Sequence, residues 1–99
     1  MVAEPGPDPY SGVATVTAPP TGGPWEQYRL TVCVEGTTTC LPNVPLCPIV
    51  AGVEPTSCAI PGATPFTNYT VVAVALKANG SSTIESLPSN VDPFQTLIA

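Results

Sequence analysis

From Val13 onward the chain is written in short alternating runs. Tyr28, Leu30, Val32 and Val34 alternate with Arg29, Thr31 and Cys33. That period of two belongs to a strand with one face buried and the other toward solvent or a neighbour. Val13-Ala14-Thr15-Val16-Thr17-Ala18 is a shorter run of the same kind, stopped by Pro19-Pro20-Thr21-Gly22-Gly23-Pro24. The next strand is predicted from about Glu26 to Val34. Residues 41 to 55 hold Pro42, Pro45, Pro48 and Pro55, none able to donate to a ladder, so they read as a long connection with at most a short edge strand near Ile49-Val50. Thr56 to Ile60 returns to strand character. Asn68 to Lys77 is the strongest strand, and Asn79-Gly80-Ser81-Ser82 ends it. A final strand is placed at about Asn90 to Leu97, where Pro88 and Pro93 confine it to an edge or break it. No segment carries a helical period. Six or seven short strands separated by such turn signals predict an all-β, antiparallel β-sandwich without significant helix.

Composition narrows what such a fold does. The 99 residues carry two basic side chains against seven acidic ones, no histidine and a net charge of −5. With only Arg29 and Lys77 to neutralise phosphates, nucleic acid is excluded as a partner, and the same deficit argues against an anionic membrane surface. Without histidine the commonest general base and the commonest metal ligand are both missing. Although 9% of residues are charged, 43% are apolar, which is the balance of a folded chain rather than a disordered one. The longest apolar run, Val71 to Leu76, is too short to cross a bilayer, so this segment is not expected to insert in a membrane. The length allows one modest core. It is placed at residues 13–97, after a proline-rich segment or irregular first strand at residues 1–12. Met1-Val2-Ala3-Glu4-Pro5 lacks the basic stretch and apolar centre of a signal peptide. The chain is therefore expected to be one module of a longer polypeptide.

Cys33, Cys40, Cys47 and Cys58 include no C-x-x-C pair. Zinc knuckles and redox pairs need that close spacing, so two structural disulfides are the better account. Three connectivities are possible. Cys33 and Cys40 flank a turn-like stretch, Val34 to Thr39, which favours Cys33–Cys40 together with Cys47–Cys58. Each would close a loop of about ten residues and contribute on the order of 2.5–3 kcal/mol. Disulfides imply an oxidising compartment, secreted or cell-surface. Asn68-Tyr69-Thr70 and Asn79-Gly80-Ser81 are N-glycosylation acceptors in pattern, although Asn79-Gly80 reads equally as a turn.

The order of these pieces carries a family resemblance. Ala14 to Pro24 followed by Tyr28-Arg29-Leu30-Thr31-Val32 resembles the second and third strands of a fibronectin type III domain. Ile60-Pro61-Gly62-Ala63-Thr64-Pro65-Phe66-Thr67-Asn68-Tyr69-Thr70-Val71 is similar to that family's turn into the sixth strand. Val72-Ala73-Val74-Ala75, Asn79-Gly80, Ser89-Asn90-Val91 and Phe94-Gln95-Thr96 continue it. The resemblance implies an antiparallel immunoglobulin-like β-sandwich of about seven strands, with Tyr69 as the tyrosine corner, its hydroxyl bonded to backbone a few residues upstream. Two positions depart from the pattern: the usual tryptophan of the second strand is Ala18, and the usual leucine of the corner is Ala63. Trp25, Phe66 and Ile60 are the bulk available to refill that volume. The cysteine-bearing stretch between Gly36 and Ser57 is not a general family feature.

No catalytic, cofactor-binding or metal-ligating residue is assigned. Glu26, Glu35, Glu54 and Glu85 fall in predicted loops and turns, where a carboxylate is ordinarily solvated. No D-x-D cluster marks a calcium site. The resemblance places the loops after the second and sixth strands at one pole. The candidate binding loops are therefore Gly22, Gly23, Pro24 and Trp25 beside Lys77, Asn79, Gly80, Ser81 and Ser82. Trp25 either packs beneath its loop or stands exposed as an anchor for a protein or a glycan. The implied roles are a protein-binding, adhesion or assembly module of an extracellular protein, a spacer between neighbouring domains (of a secreted hydrolase, for example), or a carbohydrate-binding module using Trp25.

Overall fold

The computed structural model describes residues 1–50 and 52–99, which contain eight strands and no helix. The strands are β1 (Val2–Pro5), β2 (Ser11–Val16), β3 (Gln27–Val34), β4 (Cys47–Pro48), β5 (Thr56–Pro61), β6 (Asn68–Asn79), β7 (Ser82–Glu85) and β8 (Asp92–Gln95). Every pairing is antiparallel. One sheet runs β1-β2-β5; the other runs β4-β3-β6-β7, with β8 also on β6. No helix is long and apolar enough to cross a membrane among the described residues.

The alternation in β3 sets the layering. Tyr28, Leu30 and Val32 are buried while Arg29 and Thr31 are exposed. On β6, Tyr69, Val71, Ala73 and Ala75 face the same interior, and Ala14, Val16, Cys58 and Ile60 meet them from the other sheet. Both sheets thus share one core, which is what allows each to cover an apolar face. Tyr69 stacks on Phe94 of β8, with centroids 5.6 Å apart. Gly12 lies directly beneath Phe94, where a Cβ would come within 2.6 Å of the ring. Only a glycine lets the β2 backbone approach so closely.

Several boundaries differ from the sequence reading, each for a physical reason. The sequence places Ser82 in the turn that ends β6 and marks no strand at residues 82–85, yet the chain reverses at Gly80-Ser81 and pairs back on β6, with Asn79 opposite Ser82. All four residues of β7 are exposed. A strand that buries nothing leaves no hydrophobic alternation to read. The short edge strand lies at Cys47–Pro48 rather than Ile49-Val50, because Tyr28 pairs with Cys47. Near the start, Val2–Pro5 pairs with β2, and Ala3 joins the core. The final strand occupies only Asp92–Gln95.

The gap between β7 and β8 is closed by serines. Ser86 N–H donates to the Ala75 carbonyl at 2.9 Å, while Ser86 Oγ accepts the Ala75 N–H at 2.9 Å. Ser89 repeats the pattern on Ala73, at 2.8 and 2.9 Å. Each hydroxyl takes the place of a strand carbonyl where Pro88 interrupts the ladder. The β6 edge is therefore hydrogen-bonded throughout the gap.

Cys33 is bonded to Cys40, and Cys47 to Cys58. The first bond crosses a hairpin that backbone hydrogen bonds already close, Val34 to Thr39 and Leu41 to Val32. The second joins β4 of one sheet to β5 of the other, and Cys58 is buried in the core. In urea unfolding, Cys47→Ala/Cys58→Ala is expected to lose about 2–4 kcal/mol, from chain entropy together with lost packing. Cys33→Ala/Cys40→Ala is expected to lose less. Equal losses, or the reverse order, would contradict an inter-sheet staple.

Candidate functional site

The sequence 17–26 must turn the chain from one sheet to the other within a run of prolines and glycines. Gly22 takes a left-handed backbone, φ 83°, which a side chain would resist. This geometry brings the Trp25 ring back against the loop, where its Nε1–H donates to the Thr21 carbonyl at 3.2 Å. The ring is half-buried and packs on the edge of the core. Lys77, on the adjoining β6, lies with Nζ 5.2 Å from the ring centroid and donates to the Gly22 carbonyl. A cation over an indole adds about 0.5–1 kcal/mol at an exposed site. Glu26 completes the tie: its backbone N–H donates to the Leu76 carbonyl at 2.9 Å and its carboxylate accepts the Ala78 N–H.

Gly22, Trp25 and Lys77 are thus in contact, and Pro24, Lys77 and Asn79 border one shallow depression. Gly23 and Pro24 are exposed beside them. Gly80 and Ser81 form the tip of the β6–β7 hairpin, between Asn79 and Ser82. Asn68, in contrast, starts β6 at the other end, opposite Gln95 of β8. Both Asn68 and Asn79 are exposed. Tyr69 is buried, and its hydroxyl oxygen accepts the backbone N–H of Thr64 at 2.8 Å. Of the bulky residues available to refill the core, Ile60 is fully buried, Trp25 sits at the margin, and Phe66 is 61% exposed. Phe66 cannot serve as core because it occupies a turn position with φ 48°, which carries the ring outward.

The other cation is also engaged. Arg29 forks onto Glu85 across the outer face of the sheet, with hydrogen bonds of 3.2 and 2.9 Å. Those bonds, and then the guanidinium charge, hold the Glu85 carboxyl below its ordinary value. Burial pushes the Tyr28 phenol up, and the nearby Glu54 carboxylate adds to this. Among the described residues, no three His, Cys, Asp or Glu side chains gather as metal ligands.

The sequence reading did not single out the apolar residues standing along the β7–β8 edge. Leu87 is 89% exposed and Val91 61%. Met1 bonds to Asn90 through its amine and its carbonyl, and the Ala3 N–H donates to Asp92. These bonds bring exposed Val2 beside that edge. A lone leucine between Ser86 and Pro88 carries no periodic signal, so only the pairing of β1 with its neighbours reveals the cluster. No family model, curated protein or solved structure matches the chain.

Two outcomes test this geometry. Replacing Lys77 by Ala should move the emission of Trp25, the chain's single tryptophan, toward that of a solvated indole; an unchanged spectrum would mean the ring is held without the lysine. The Glu85 contribution should be fully present above the ordinary carboxylate value of 4.5 and disappear as pH falls through the depressed folded value. Urea midpoints of the native chain and Glu85→Gln should therefore differ at neutral pH and converge in acid. A gap that persists in acid would rule out the ion pair as its cause.

Proposed function

We propose that this chain is a non-catalytic, fibronectin type III-like module of an extracellular protein that takes part in protein–protein interaction, adhesion or assembly. The strand order supports the fold reading: a three-stranded sheet faces a larger one in which the longest strand is flanked by β3 and by the split pair β7 and β8. The Tyr69 hydroxyl bonded to Thr64 supports it further. Two disulfides fit a secreted or cell-surface setting. Asn68 and Asn79 are accessible to glycosylation there.

The observation that carries the interaction reading is the exposed apolar edge formed by Leu87, Val91 and Val2. Its nearby acid, Asp92, is already occupied by the Ala3 N–H. Apart from that carboxylate and the Met1 amine with its partner Asn90, the exposed side chains of this edge are apolar, and such a surface gains from burial against a protein partner. A spacer is the second reading. Met1 is bonded to Asn90, beside the middle of β6, whereas the residues after β8 bond to Thr67, just before β6 begins, so the two lie apart on the sheet. That placement suits linkage between neighbouring domains. The carbohydrate reading is weaker, because the indole N–H of Trp25 is already bonded and Lys77 lies over the ring.

Cell and matrix adhesion to surfaces coated with the module separates the two main readings. Wild-type coating should hold adherent material, and Leu87→Ser/Val91→Ser should reduce it several-fold with an unchanged circular dichroism spectrum. Equal adhesion by both proteins would remove the interaction edge and leave the spacer.

A further inference from the structure

Backbone hydrogen bonds gather several turns at the Asn68 end of β6, the end away from Lys77. The Ala63 N–H donates to the Tyr10 carbonyl at 3.0 Å, the Phe66 N–H to the Leu97 carbonyl at 3.0 Å, and the Glu35 N–H to the Asn68 carbonyl at 2.9 Å. Three large side chains stand outward there: Phe66 is 61% exposed, Tyr10 57% and Leu97 43%. Among the described residues, neither of these two rings stacks on another or carries a cation.

Two independent features give this end a partner chemistry. The first is strain. Phe66 holds a left-handed backbone, φ 48°, which glycine or asparagine takes readily and a bulky side chain resists. Its ring stays outside the core, so packing does not account for an aromatic residue at this turn. Strain of this kind gathers where a protein holds a ligand. The second feature is charge. Asp8 stands two residues before Tyr10 and accepts its N–H at 2.8 Å, and Glu35 follows on the hairpin bonded to Asn68. Both acids are exposed, and among the described residues neither is in an ion pair. The two basic side chains of the chain are engaged elsewhere, Arg29 on Glu85 and Lys77 over Trp25. This end therefore presents aromatic faces among carboxylates, with no cation of its own. A guanidinium complements both, because its flat face stacks on a ring while its N–H donors reach carboxylate oxygens.

We propose that this end of the sandwich docks an arginine-bearing segment of a protein partner, the guanidinium stacked on the exposed rings of Phe66 and Tyr10 and drawn by Asp8 and Glu35. Leu97 supplies apolar contact for the arginine stem. A lysine fits less well, since its compact, strongly hydrated ammonium has no flat face to stack. This surface is separate from the edge at Leu87 and Val91, and it stands whether or not that edge binds.

The test titrates the intact, oxidised chain with acetyl-Gly-Arg-Gly-Arg-Gly-amide and with its citrulline counterpart, which keeps the shape and loses the charge. Amide chemical shifts are followed at about 0.15 M salt, where long-range attraction to the acidic chain is screened beyond about 8 Å. Saturable shifts are expected at Tyr10, Phe66, Asn68 and Leu97, with the arginine peptide bound about tenfold more tightly than the citrulline one. Phe66→Asn suits the left-handed backbone, so it should keep the native spectrum away from this end while binding the arginine peptide roughly fivefold more weakly. Asp8→Asn/Glu35→Gln should also weaken binding, and Leu87→Ser/Val91→Ser should leave it unchanged. Five results overturn the proposal: no saturable shifts, shifts scattered over the other carboxylates, equal affinity for the two peptides, undiminished binding by Phe66→Asn, or a Phe66→Asn chain that fails to fold. The last would mean that the fold itself requires the ring.

Discussion

The pairing of β6 along both of its edges is the constraint on which the rest of this structure depends. On one side it pairs in register with all eight residues of β3, from Gln27 opposite Leu76 to Val34 opposite Tyr69. A slip of one residue would turn Tyr28, Leu30 and Val32 outward and bring Arg29 and Thr31 into the core. On the other side β7 and β8 cover its two ends, and Ser86 and Ser89 cover the middle. The same strand carries Tyr69 to the hydrophobic centre and Lys77 to the Trp25 loop. Core, corner and candidate site are set by one register.

That dependence follows from how little the core has to work with. Ala3, Ala14, Ala63, Ala73 and Ala75 make up much of the buried set, and each buries far less apolar area than a leucine or phenylalanine. A chain of this length with small core residues gains limited stability from burial alone. The Cys47–Cys58 bond offsets the deficit by tying the two sheets together covalently. Small residues also leave an opening between the sheets, bordered by Ala73 and Ala75 of β6 and by Ala18 of the loop after β2. Economy of core volume and an opening between the sheets are two consequences of one sequence choice.

Much of the architecture was legible wherever burial alternates. The faces of β3 follow directly from its pattern of apolar and polar residues, and the all-β class follows from short runs between proline and glycine clusters. What escaped the sequence has no burial signal. β7 is exposed at every position, and it becomes a strand only because the β6–β7 hairpin supplies its partners. The serine bonds escaped for a different reason: a hydroxyl standing in for a carbonyl depends on where Pro88 breaks the ladder. In the candidate site, Gly22, Trp25 and Lys77 were readable as neighbours, but the half-buried state of Trp25 required knowing that Lys77 reaches back over the ring. The exposed edge at Leu87 and Val91 and the buried Tyr28 hydroxyl, which has no hydrogen-bond partner, were not readable at all. Both are defined by what fails to touch them.

Native-state hydrogen exchange across β6 tests this account most directly. If the strand is paired along both edges, the amides of Ala73 and Ala75, which face Ser89 and Ser86 rather than a strand carbonyl, should exchange as slowly as that of Val71, close to the limit set by global unfolding. Ser86→Ala/Ser89→Ala should speed those two amides while leaving the β3 side of β6 protected. Rapid exchange of Ala73 and Ala75 in the native chain would contradict the account, because it would show the central strand open along the edge that β7 and β8 share.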